Sequence, residues 1–209
     1  MSIFPTAELR WFHSGTPPKA IADWFDLRCL GGDRTPPETR EDLYLFLPGH
    51  DYFNLKLRQG RLEIKWRQNG GGLVHFGDRW QGYAEFWEKS ICEGLHANLP
   101  NYVLNNGRWI GVEKTRVQRR YAIADDREIA PVSFSEMNGT GCNLELTKLA
   151  IDGQQWWTLA LEAFGEAPQL WDSLEIVATH LSQTYPDNLH LSPSASFAYP
   201  KWLEVAIAA

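Results

Sequence analysis

Sulfur is scarce in this chain, with three cysteines and two methionines in 209 residues. Cys29, Cys92 and Cys142 are odd in number, widely spaced and form no CxxC pair. That excludes the paired-cysteine pattern of a zinc site and argues against a disulfide framework, so a reducing compartment is the simpler expectation. Long apolar runs are missing as well. Nothing approaches the ~18 apolar residues of a membrane span, and the opening MSIFPTAELRW lacks the basic and apolar regions of a signal peptide. The expectation is a soluble, cytoplasmic protein without a membrane partner. Positive charge is not in excess either. The formal net charge of -6 argues against a nucleic-acid partner, which calls for a strongly basic domain.

Several signatures of chemistry are also lacking. QNGGG, at 68–72, has no following GK[ST] and no dinucleotide-fingerprint spacing, so it reads as a turn, as does GGD at 31–33. The six histidines are scattered with no HExxH, and no GxSxG elbow is present. Cys92 and Cys142 read as small buried hydrophobes.

Aromatic side chains, by contrast, are plentiful. The ten tryptophans fill a core or line a wide interior, and some could stack on a ligand ring. A hydrophobic fraction of 44% and a charged fraction of 22% suit a single globular domain spanning 1–209.

Alternation of polar and apolar residues dominates the order of elements. It predicts strands at Ala7–Phe12, Asp42–Leu47, Phe53–Arg58, Arg61–Arg67, Gly82–Ile91 and Arg108–Tyr121. A hairpin is predicted from Cys142–Leu149 and Gln155–Phe164 around Asp152-Gly153. Gln59-Gly60 is a natural tight turn, and the glycines of QNGGG are expected to end the strand before them. Thr16 is placed as the cap of a short helix from Pro17, with Ile21, Trp24 and Phe25 on its buried face. Leu30–Glu41, rich in Gly, Pro and charge, reads as a loop. Leu170, Leu174, Val177, Leu181 and Tyr185 recur at helical spacing, which places a helix over about 168–185. The tail SFAYPKWLEVAIAA reads as a short strand or a docking helix. Many hairpin-linked strands with peripheral helices are most economically a mainly β (α+β), antiparallel barrel, because closure hides the strand edges.

The polar positions of these strands are unusually basic. Residues 54–67 hold five basic groups and one acid, and residues 108–121 do the same, although the whole chain is acidic. One reading makes Lys56, Arg58, Lys65, Arg67, Lys114, Arg116 and Arg120 a solvated face. The other gathers Arg10, Lys56, Arg58, Lys65, Lys114, Arg116 and Arg120 around an anion. Convergent cations repel one another unless an anion or carboxylates neutralise them, and a polyphosphate suits such a cluster. Glu162, in the apolar strand WWTLALEAFG, needs water, a cation or a hard metal such as Mg²⁺ or Mn²⁺. Facing matters here. If Leu55, Leu57, Ile64 and Trp66 point inward instead, the barrel is a packed core or a calycin-like pocket for a hydrophobic or pigment ligand.

The ordered set of motifs resembles the CYTH superfamily, the triphosphate tunnel metalloenzymes. The likeness runs from about residue 6 to 164. Thr6-Ala7-Glu8-Leu9-Arg10 matches the family's opening ExExK strand, with Thr6 at the first Glu and Arg10 for Lys. Lys56 and Arg58 match its RxR pair, Lys65 the following Lys, Lys114 and Arg116 in VEKTR the KxR pair, and Glu162 the closing acid. Ala160 stands where a partner acid is expected. The resemblance implies an eight-stranded antiparallel tunnel that holds a triphosphate on Arg10, Lys56, Arg58, Lys65, Lys114, Arg116 and Arg120. It further implies divalent Mg²⁺ or Mn²⁺ on Glu8 and Glu162, and metal-dependent hydrolysis with Glu63 or Glu145 orienting water. A degenerate tunnel serving as an interaction scaffold is the remaining alternative, with loop 30–41 and the late helix as its first surfaces to test.

Overall fold

The computed structural model describes residues 3–29, 34–92, 108–124, 126–135 and 139–208. The expected turn at 31–33 and the first part of the expected loop from Leu30 lie outside the described residues. Nine strands occur in chain order: β1 (Ile3–Ser14), β2 (Glu38–Leu45), β3 (Phe53–Arg58), β4 (Arg61–Phe76), β5 (Trp80–Cys92), β6 (Trp109–Ile123), β7 (Ile129–Val132), β8 (Gly141–Ile151) and β9 (Gln154–Phe164). Among the described residues three α-helices accompany them, α1 (Lys19–Leu27), α2 (Leu170–Gln183) and α3 (Tyr199–Ala208).

The sheet order is β2-β3-β4-β5-β1-β9-β8-β6, and pairing of β2 with β6 closes the ring. Every pairing in it is antiparallel. The fold is therefore the expected mainly β, eight-stranded antiparallel barrel with peripheral helices. The short β7, which sequence patterning did not anticipate, pairs with the far end of β6. Tight two-residue turns set two of the hairpins. Gln59 and Gly60 both take positive φ (48° and 77°), as do Asp152 and Gly153 (47° and 80°). That geometry matches the twist of the flanking strands.

Side chains alternate across each strand, so each strand has two opposed jobs. On β1, Ala7, Leu9 and Trp11 are fully buried outside the barrel, in a cluster with Ile21, Trp24 and Phe25 of α1 and Leu170, Leu174, Val177 and Leu181 of α2. The main apolar core thus lies between the outer face of the barrel and these helices. Burial of such side chains contributes roughly 1.5–3 kcal/mol each, which makes this layer the main source of stability. Trp24, Trp80 and Tyr185 meet edge-on there, with ring centroids 5.1 to 6.0 Å apart.

A second apolar cluster shuts the end of the barrel at which β1 finishes. Phe12, Tyr44, Val112, Leu149 and Trp156 project inward there, and Trp202, Leu203 and Ala206 of α3 pack over them. The tail is therefore a docking helix and forms the floor of the barrel.

Local expectations differ from the structure in three places. Thr16 does not cap α1. It is exposed, and Pro18 precedes the helix with no side-chain cap. The glycines after Gln68 do not end β4, which continues to Phe76 through register shifts at Arg67/Asn69 and Gly70/Gly72. Gly72 takes φ +83°, so the glycines act as bulges that bend a long strand. Finally, β2 begins at Glu38, inside the segment expected as loop. Pairing with β6 supplies the backbone hydrogen bonds there, which overrides the local Pro-rich composition.

Candidate functional site

The inner face of the barrel carries the charge. A cavity of about 310 Å³ is lined by nine lysine and arginine side chains and four glutamates. The sequence-selected Glu8 and Arg10 reach it from β1, Lys56 and Arg58 from β3, Glu63 and Lys65 from β4, Lys114, Arg116 and Arg120 from β6, Glu145 from β8 and Glu162 from β9. All eleven residues thus meet in one cavity. Leu55, Leu57, Ile64 and Trp66 have the opposite strand parity and sit half-buried on the outer face. Of the tryptophans among the described residues, Trp87 lines the cavity.

Asp42 of β2 is the anchor of one side. It has no exposure and accepts two hydrogen bonds from Arg58, at 2.9 and 2.8 Å, and one from Arg40 at 3.2 Å. Lys114 Nζ lies 3.3 Å away. Burial alone would raise the Asp42 carboxyl, yet Arg58, Lys114 and Lys56 hold it well below the usual carboxylate range. Glu63 follows the same logic. Lys56 lies 3.0 Å and Arg58 3.4 Å from it, and despite burial they hold its pKa at about 2.

Glu145 of β8, separated from β2 by β6, anchors a second group. Arg10 donates to it at 2.9 Å, Thr147 at 3.0 Å and Gln118 at 3.4 Å, with Arg116 at 3.6 Å. Burial pushes this carboxyl up, and Arg10 and Arg116 pull it further down. Glu38 links the two groups by pairing with both Arg40 and Arg116.

The third group is a cross-strand row. Glu8 lies opposite Glu162 in the β1–β9 register. Lys65 donates to Glu8, and so does the Thr6 hydroxyl at 2.9 Å. Glu162 forms no salt bridge among the described residues. Burial raises its carboxyl, but the charges of Lys65 and Lys89 bring it below its ordinary value. Towards the mouth, Arg120 donates to Asn143 at 3.0 Å and lies 4.6 Å from the ring centres of Phe134 and Phe164.

Burial acts in the other direction on the lysines. It pushes Lys114 well below its ordinary value, Asp42 opposing and Lys56 and Arg58 adding to the shift. It brings Lys56, with repulsion from Arg58, down to about 8. Lys65 is lowered too, chiefly by burial. Carboxylates are therefore held charged by their cationic neighbours, and lysines are pressed towards neutrality chiefly by burial. At the floor, Lys114 donates to the Tyr44 hydroxyl and its Nζ sits 3.6 Å from the centre of the Tyr199 ring, with Arg10 5.0 Å from the same ring.

Sequence reasoning did not single out Arg40, Asp42, Lys89, Asn143 or Tyr199 as site residues. Lys89 alternates with Glu85 and Trp87 along the strand, and Glu38-x-Arg40-x-Asp42-x-Tyr44 carries the same period. Arg67, part of the basic alternation, turns instead to Glu85 and Asp51, at 2.5 and 3.0 Å, and does not line this cavity.

Among the described residues no group of three or more His, Cys, Asp or Glu is placed to hold an ion. Lys65 already fills the cation position on Glu8. Thr6 and Ala160, at the positions where the resemblance calls for two more acids, bring a hydroxyl and a methyl group. No helix among the described residues is long and apolar enough to cross a membrane. The chain matches no protein-family model and no curated protein.

Proposed function

We propose that this barrel binds a small anionic molecule through a triphosphate or comparable polyphosphate group, as a member or relative of the CYTH superfamily. The observation that carries the reading is the convergence of nine cations on a cavity with four glutamates. Arginine forks and lysine ammonium groups suit phosphate oxygens, and a low-dielectric cavity strengthens each contact. The polar interior also weighs against a hydrophobic or pigment ligand. Three cysteines without a disulfide suit a reducing cytoplasm.

Calorimetric titration with tripolyphosphate tests this. Binding should weaken as salt rises, and Lys89→Ala and Lys56→Ala should each weaken it about 30-fold or more, for ~2 kcal/mol or more of lost desolvated contact. Wild-type affinity in both variants would reject the site. A hydrolase reading rests on Glu8 and Glu162, side by side on β1 and β9. Release of phosphate from inorganic triphosphate with Mg²⁺ or Mn²⁺, lost in Glu8→Gln, would establish it. No release despite binding would make the protein a binding module.

A further inference from the structure

We infer that the cavity takes its polyphosphate as the free anion, so that Mg²⁺ competes with the protein for the ligand and does not assist its binding. The inference rests on the proposed polyphosphate binding and says which chemical form of the ligand is recognised.

Three observations carry it. First, the protein's own cations already occupy three of the four lining glutamates. Lys65 holds Glu8, Lys56 and Arg58 hold Glu63, and Arg10 and Arg116 hold Glu145. A dication on Glu8 would have to expel Lys65 into a cavity crowded with like charge. Second, the balance of charge favours the bare anion. Even with Asp42 and Glu38 counted beside the four lining glutamates, nine cations face six carboxylates. Free triphosphate carries roughly four negative charges near neutral pH, one per phosphorus and more as the end groups lose their second proton. A bound Mg²⁺ cancels two of these, which roughly halves the ligand's charge and with it the attraction to the cationic excess. Third, burial presses Lys56 and Lys114 towards the neutral form. An arriving anion relieves that pressure, and an arriving dication adds to it.

The two modes of binding predict opposite signs at Glu162. If that side chain holds a metal that bridges to phosphate, removing its charge weakens binding. If the ligand arrives bare, Glu162 is a like charge beside it, and removing that charge strengthens binding.

The experiment is calorimetric titration with sodium tripolyphosphate, in EDTA and then in excess Mg²⁺, on the wild-type protein and on Glu162→Gln. Melting curves confirm that the variant is folded. The inference expects binding in EDTA, at least tenfold weaker binding in Mg²⁺, and severalfold tighter binding by Glu162→Gln in EDTA. Binding that requires Mg²⁺, or a Glu162→Gln protein that binds more weakly, overturns it while leaving polyphosphate as the ligand. Absence of binding in both media overturns the polyphosphate reading itself. Should the variant fail to fold, the effect of Mg²⁺ on the wild-type protein decides alone.

Discussion

Asp42 and Glu162 are carboxylates inside the same barrel, and they live in opposite circumstances. Asp42 is wholly buried and is held by three cationic side chains from β2, β3 and β6. Glu162, half-buried, feels Lys65 and Lys89 through space and has no salt bridge among the described residues. The contrast separates two kinds of cation that look alike in sequence. Arg58, Arg40 and Lys114 have a fixed structural duty to Asp42. Lys89 has no such tie among the described residues, and it lines the cavity beside Glu162. Charge on the Asp42 side is arranged to hold strands together, and on the Glu162 side Lys89 and Glu162 form no salt bridge among the described residues.

The widest break in that comparison should come from acid. Asp42, Glu63 and Glu145 all have folded-state pKa values below their unfolded ones. Their contribution is present above the unfolded carboxylate values near 4 and is lost as pH falls through the folded ones. Urea midpoints should therefore drop steeply from about pH 4.5 towards pH 2, the Glu63 value. A flat profile over that range would remove the ion pairs from the account of stability.

Next in size is a single substitution on each side. Asp42→Asn leaves Arg40, Arg58 and Lys114 facing one another and should cost about 3–5 kcal/mol. Glu162→Gln should change stability by less than about 1 kcal/mol, because no direct pair is broken. Equal losses in urea unfolding would erase the distinction between the two carboxylates.

The smallest effect belongs to alkaline pH. Lys56 is lowered to about 8 in the folded protein, so the unfolded chain binds more protons between that value and the ordinary lysine range. Stability should rise modestly as pH climbs from about 8 towards 10.5, the reverse of the usual alkaline loss. Saturating tripolyphosphate should flatten the rise, since the anion keeps Lys56 charged. A rise that persists unchanged with ligand would place Lys56 away from the phosphates.

Much of this arrangement was legible because the sheet period is local. Lys56, Arg58 and Lys65 alternate with Leu55, Leu57 and Ile64, and any sheet must put the two sets on opposite faces. The helix over 168–185 was legible for the same reason, as α2 covers Leu170–Gln183 with its apolar stripe inward. Other features have no local signal. The Arg10–Glu145 pair joins residues 135 apart in the chain, and no spacing rule encodes it. Arg40 and Asp42 were obscured by the prolines and glycines before them, although their alternation with Tyr44 was visible. The bulges of β4 depend on what β5 demands of its partner, so glycine there read as a stop. Tyr199 joins the cavity because α3 folds back across the barrel end, a tertiary event.

That folding back limits what shape of ligand can be received. A barrel open at both ends would let a polymer of phosphate slide through like thread through a bead, gripping any stretch of it. Here Trp202 and its neighbours close one end over Phe12 and Tyr44. A long chain can be admitted only by its tip, to the depth of the floor. Under the polyphosphate binding proposed above, recognition would be a matter of counting termini, so one long polyphosphate should offer no more binding places than it has ends.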